Sequence, residues 1–169
     1  MIKKINILLY LLVFLNLHFI FGEGQEQKNT YIFIDISGST VSKFQEMQNY
    51  AINEILPTIE KNSNLSIFKF YGKCVNIYDQ AVKTDFDLEF AQDRISKLLP
   101  NGPWTNLDLV KTIIQKNIDL ATAKVFILTD GHQELEDGSN EYYITNSNFD
   151  DYLEGCIFLQ KNDWFILKN

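Results

Sequence analysis

Apolar residues in this chain fall into short blocks that alternate between strand-like runs and helical spacing. Tyr31–Ile36 is an almost unbroken apolar and β-branched run, too brief for a helix, and it predicts a strand. Over Ser42–Leu56, Phe44, Met47, Ala51 and Ile55 recur on one helical face, with Ser42 and Gln45 spaced as a capping box. Pro57 then ends or kinks that helix. Asn64–Tyr71 and Lys73–Val82 read as two strands joined through Gly72, a connection so short that the pair is antiparallel. Leu88, Ala91, Ile95, Leu98 and Leu99 mark a second helix, stopped by the turn-forming Pro100–Pro103, and Leu107, Val110, Ile114 and Ile118 mark a third. Lys124–Thr129 is another strongly apolar strand, followed by a polar stretch and two further strands, Gly155–Gln160 and Trp164–Lys168. Strands alternating with amphipathic helices predict an α/β fold: a doubly wound, mainly parallel sheet with one antiparallel edge strand and helices on both faces.

The N-terminal segment follows a different pattern. Two lysines in Met1–Lys4, the apolar run Ile5–Phe21 and the small residues of Gly22–Gly24 stand in the order of a secretory signal. The run is also about as long as the shortest spanning helices, so a retained anchor is the competing reading. Asn6, Asn16 and His18 weigh against an anchor, because polar side chains are costly in hydrocarbon. The expected organisation is therefore a signal peptide (or anchor, through residues 5–21) over 1–24, a polar linker over 25–29 and one domain over 30–169, exported to the periplasm or secreted.

Charge narrows the choice of partner. The formal net charge is −7 and the fifteen basic residues are scattered, which argues against nucleic acid, whose binding depends on clustered Lys and Arg. A membrane enters only if the N-terminal segment is retained. Of the two cysteines, Cys74 and Cys156, neither belongs to a disulfide framework, and both read as small buried hydrophobes.

The candidate chemistry lies where apolar strands stop. Ligands of open α/β sheets bind outside the carboxyl ends of the strands. Here the first strand ends in Asp35-Ile-Ser37-Gly-Ser39-Thr40, the strand at Lys124–Thr129 ends in Asp130-Gly131-His132, and Thr105 lies just before a helix. Ser37, Ser39, Thr40 and Thr105 also fit as helix caps, and Thr105 with Asp108 has capping-box spacing. Capping leaves Asp35 and Asp130, at the ends of two apolar strands, without an explanation.

These fragments resemble the von Willebrand factor type A domain. Asp35-Ile-Ser37-Gly-Ser39 matches its Asp-x-Ser-x-Ser signature, Thr105 stands in Gly-x-x-Thr-Asn-Leu, and Asp130 ends a strand as Thr-Asp-Gly, in the order of the metal-ion-dependent adhesion site. The resemblance runs from about Thr30 to Asp130. It implies a divalent cation, Mg²⁺ or another such as Mn²⁺ or Ca²⁺, held by Ser37, Ser39 and Thr105 directly and by Asp35 and Asp130 through water or as orienting acceptors. A hard cation prefers such oxygen ligands and keeps several waters. Neutral direct ligands leave the ion electron-poor, so the resemblance implies a protein partner presenting Asp or Glu to it. Family members usually close with a C-terminal helix. The short stretch after Asp130 ends instead in the apolar Trp164–Asn169, so a C-terminally shortened fold without helix-shift allostery is expected.

An enzyme is the rival class. His132 is the only histidine after the N-terminal segment, and neither a Gly-x-Ser-x-Gly elbow nor a phosphate-cradling loop is present. The expectation is a non-enzymatic adhesion or scaffold module; the alternatives are a metal-dependent hydrolase and a structural exported domain without partner binding.

Overall fold

In the computed structural model, which describes residues 29–169, the strands follow in chain order as β1 (Asn29–Asp35), β2 (Asn64–Phe70), β3 (Cys74–Ala81), β4 (Ala123–Thr129), β5 (His132–Gln133), β6 (Tyr142–Tyr143), β7 (Ile157–Lys161) and β8 (Trp164–Lys168). Helices α1 (Phe44–Tyr50), α2 (Asp85–Ser96), α3 (Leu107–Asn117) and the short α4 (Phe149–Tyr152) lie between them. Six strands form one sheet of order β3-β2-β1-β4-β8-β7, and β5 pairs with β6 separately. The α/β fold expected from the pattern is thus the one adopted. The N-terminal signal or anchor and most of the linker lie outside the described residues. Among the described residues no helix is long and apolar enough to cross a membrane.

The centre of the sheet is apolar on both faces because its strands are covered on both. Along β1, Ile32 and Ile34 pack with Phe44, Met47 and Ala51 on the α1 side and with Ala91 and Ile95 of α2, while Phe33 packs with Leu107, Val110 and Ile114 of α3 on the other. Strands β4 and β8 divide in the same way, with Leu128 and Ile166 on the first face and Ile127 and Leu167 on the second. Two-sided burial explains why these segments read as continuous apolar runs.

β1 pairs parallel with β2 and β4, and β3 pairs antiparallel with β2 as expected from Gly72. The C-terminal side departs from a single antiparallel edge. β7 and β8 form a hairpin, and β8 runs antiparallel against β4, so antiparallel pairs flank the parallel centre on both sides. The apolar Trp164–Leu167 is interior and fully buried, and β7 is the edge. A hairpin reverses direction within a few residues, whereas another parallel strand needs a crossover of a dozen or more.

Helix α1 also differs in detail from its expected form. Ser42 and Gln45 form no capping box: Lys43 occupies the cap position without a side-chain bond, and Gln45 donates to Asn49. Beyond Tyr50 the helix widens to a π turn over Ala51–Ile55 and then tightens to a 3-10 turn over Leu56–Thr58. Pro57 lacks an N–H and its ring crowds the carbonyl four residues back, which accounts for the change of winding. Leu99, expected on the buried face of α2, is exposed because the helix ends at Ser96. Cys74 and Cys156 are free, the first on edge strand β3 and the second just before β7 on the opposite side of the sheet.

Candidate metal centre

Asp35 is the last residue of β1 and is fully buried. The parallel register sets Ile34 beside Leu128, so one step further Asp35 and Thr129 end adjacent strands on the same face. The Thr129 hydroxyl donates to Asp35 Oδ2 at 2.6 Å, and the Ser37 main-chain N–H donates to Asp35 Oδ1 at 2.9 Å. Thr129 Oγ1 in turn accepts the Gly131 N–H at 2.9 Å. Burial pushes the Asp35 carboxyl up to about 7; the bonds from Thr129 and Ser37 oppose that rise, and nearby Asp130 adds to it. Both Asp35 oxygens are thereby held in fixed directions.

After Asp35 the chain makes a 3-10 turn over Gly38–Thr40, at whose cap position Ser37 makes no side-chain capping bond. The Thr40 hydroxyl donates to the Ser37 carbonyl at 2.8 Å instead, so Thr40 is the residue that locks this turn. Ser37 and Ser39 bring their hydroxyls within 3.1 Å of each other, Ser37 buried and Ser39 exposed. Two hydroxyls that close can serve one ion together.

Thr105 is brought to the same end of the sheet by main-chain pairing. Gly102 donates to the Ile36 carbonyl at 2.8 Å and accepts from Gly38 N–H at 3.0 Å, which ties its loop alongside Ser37. Only glycine permits that approach: a Cβ at Gly102 would overlap Tyr71 and press on the Ile36 carbonyl. Trp104 follows in a left-handed conformation, φ 59°, that is strained for so large a residue. Thr105 then exchanges both main-chain bonds with Glu134, at 2.7 and 3.0 Å. The helix cap is Asn106, whose side chain accepts from Leu109 N–H at 2.9 Å, and Asp108 accepts from Asn140 and from Tyr142. The Thr105–Asp108 capping box is therefore absent, and the Thr105 hydroxyl, nearly buried, is not used as a cap.

Asp130 follows β4. Its Oδ1 accepts the His132 N–H at 3.2 Å, and its Oδ2 lies 3.5 Å from the Lys43 ammonium. The His132 ring engages other partners than Asp35 and Asp130: it stacks on Tyr143 at 4.4 Å and its Nε2 lies 3.1 Å from Glu141. The loops carrying Asp35, Ser37, Ser39, Thr105 and Asp130 thus meet at the carboxyl end of β1 and β4. Their side chains offer three hydroxyls and two carboxylates, an all-oxygen set suited to a hard divalent cation. Among the described residues no three His, Cys, Asp or Glu side chains gather as a metal group.

Two residues here escaped the sequence reading. Thr129, the hydroxyl just before Asp130, could have been noticed as a polar end to an apolar strand. Lys43 carried no such signal, because its partner lies 87 residues away.

No protein-family profile matches the chain, and no curated protein matches it. Solved structures do resemble it. Proximal thread matrix protein 1 from the mussel byssus matches at 18% identity and TM-score 0.50, over 64% of this chain and 32% of that protein. A von Willebrand factor type A protein from Catenulispora acidiphila matches at 15% identity and TM-score 0.44, over 51% of this chain and 21% of its own. A further structure of the mussel protein, with zinc in its metal-ion-dependent adhesion motif, matches at 17% identity and TM-score 0.45, over 57% and 27%. At such identities the likeness to the mussel protein is one of fold, and this chain spans about a third of that protein's length.

Proposed function

We propose that this chain is a metal-dependent protein-binding module that captures an acidic side chain of a partner through a divalent cation, Mg²⁺ in the first instance. The observation carrying this reading is a set of oxygens not used for capping: Ser37 and Thr105 sit at helix starts yet their side chains cap neither, while Asp35 ends β1 and Asp130 directly follows β4. Burying a carboxylate such as Asp35 is costly without a compensating charge, and a cation at the loop mouth would supply it. In this reading Ser37, Ser39 and Thr105 bind the ion, Asp35 and Asp130 orient its waters, and Thr129 holds Asp35 in place. A bound divalent ion supplies an electrophilic point that can take a carboxylate from outside.

The surroundings favour a protein as that outside partner. Val41 and Trp104 are large exposed apolar residues close in sequence to Ser39 and Thr105, and beside Trp104 runs a groove of about 530 Å³ lined by Gly72, Leu135, Glu136 and Asp137. Exposed apolar residues beside a groove suit contact with a protein surface. The His132 ring is engaged with Glu141 and Tyr143 rather than with Asp35 or Asp130. With residues 1–24 read as an export signal, the module would work outside the cytoplasm.

The test is a pull-down from the native compartment on immobilised full chain, in Mg²⁺ and in chelator, with Ser37→Ala as a second bait. A protein retained in Mg²⁺, released by chelator and missed by Ser37→Ala is the expected result. Equal retention under all three conditions would overturn the reading.

A further inference from the structure

Lys43 lies at the start of α1, where the helix dipole disfavours a cation. Its ammonium nevertheless points to Asp130, 3.5 Å from Oδ2, with about a fifth of the side chain exposed and only 5% of the Asp130 side chain. The remaining ion pairs among the described residues each have at least one member more than half exposed. Surface pairs of that kind are screened and contribute little, whereas a shielded charge acts strongly on its neighbours. The other Asp130 oxygen accepts the His132 N–H, so an ion that uses Asp130 shares the carboxylate group with this ammonium.

We propose that Lys43 tunes the site in two opposite directions, weakening its hold on a divalent cation and strengthening the hold of the loaded site on an acidic partner. The inference rests on the metal-binding reading above. Its logic needs only one charge difference. With Lys43 present the site carries one more positive charge than without it. That charge repels an incoming M²⁺ and attracts an incoming carboxylate, whatever the state of the other groups. The consequence for recognition is a site that holds its ion loosely and takes a partner carboxylate more readily, on top of the cooperativity that direct contact between ion and carboxylate supplies.

The experiment titrates Mn²⁺ alone into the full chain and its variants by calorimetry or electron paramagnetic resonance, then repeats the titration in acetate as the carboxylate probe. Lys43→Met keeps most of the apolar stem and removes the charge, while Lys43→Arg keeps the charge. Lys43→Met should bind Mn²⁺ about tenfold tighter or more, the scale set by a +1/+2 repulsion at close range even when well screened. Lys43→Arg should stay near wild type. Acetate should tighten Mn²⁺ binding in wild type and do so less in Lys43→Met, after correction for Mn²⁺–acetate association in solution. If wild type binds Mn²⁺ but a folded Lys43→Met binds it equally or more weakly, the lysine merely props Asp130 and this inference alone falls. If wild type binds no Mn²⁺, the metal-binding reading and this inference fall together.

Discussion

Replacing Asp35 by Asn in the metal-free protein should remove the pH dependence that this one residue imposes. Burial lifts the Asp35 carboxyl from 3.8 to about 7. Between those values the folded chain keeps a proton that the unfolded chain has already released. The unfolded state then binds fewer protons, so stability falls as pH rises through this window. Asp35's favourable contribution is fully present below about pH 4 and gone above about pH 7, and at roughly 1.4 kcal/mol per unit the whole change is about 4 kcal/mol. Asn does not ionise, so it escapes that penalty. It keeps an acceptor for the Ser37 N–H but cannot take the Thr129 proton on its amide nitrogen, a loss of about 1 kcal/mol. In chelator, Asp35→Asn should therefore match wild type near pH 4.5 and exceed it by about 3 kcal/mol near pH 8. Urea denaturation of both proteins at a series of pH values gives the difference directly and cancels the other titrating groups. A difference that stays flat across the series would refute the idea that Asp35 is buried as a reluctant carboxylate.

Mg²⁺ should raise the melting temperature in proportion to RT ln(1 + [L]/Kd), about 2.7 kcal/mol at a hundredfold excess over Kd. Calorimetric scans of Asp130→Ala should show that rise abolished. Asp108→Ala should keep the metal response yet lose about 1–3 kcal/mol through its bonds to Asn140 and Tyr142, with hydrogen exchange quickening around Tyr142. Gly102→Ala should both destabilise the fold and weaken Mg²⁺ binding, because its new methyl displaces the Thr105-bearing loop that pairs with the Ser37 turn; an unaltered Mg²⁺ titration would contradict that positioning role. Assays with ester, phosphate and peptide substrates should show no Mg²⁺-stimulated turnover, and one lost on Ser37→Ala would move the protein into the hydrolases.

Most of the scaffold was legible because two-sided burial writes itself into sequence as apolar runs, and helical faces as a three-to-four spacing. β1, β4 and the α3 stripe of Leu107, Val110 and Ile114 are read that way. Strand direction after Thr129 was not, since Trp164–Leu167 has the same apolar content whether it pairs parallel or antiparallel. Four of the five oxygen-bearing residues were visible at the polar ends of apolar strands, and Thr105 just before a helix. Competing local bonds decided the details: Asn106 rather than Thr105 caps α3, and Thr40 rather than Ser37 closes the first turn, each by a hydroxyl or amide one residue or a few away from the expected one. Contacts across the fold, Thr129 to Asp35 and Lys43 to Asp130, depend on register and packing and leave no local trace.

The central claim, that one divalent cation is held jointly by Ser37, Ser39 and Thr105 with Asp35 and Asp130 behind it, is tested most directly by anomalous diffraction from crystals grown with Mn²⁺. The expected map has a single strong peak among those five side chains, lost in crystals of Ser37→Ala. A peak elsewhere, or none at saturating Mn²⁺, would contradict it.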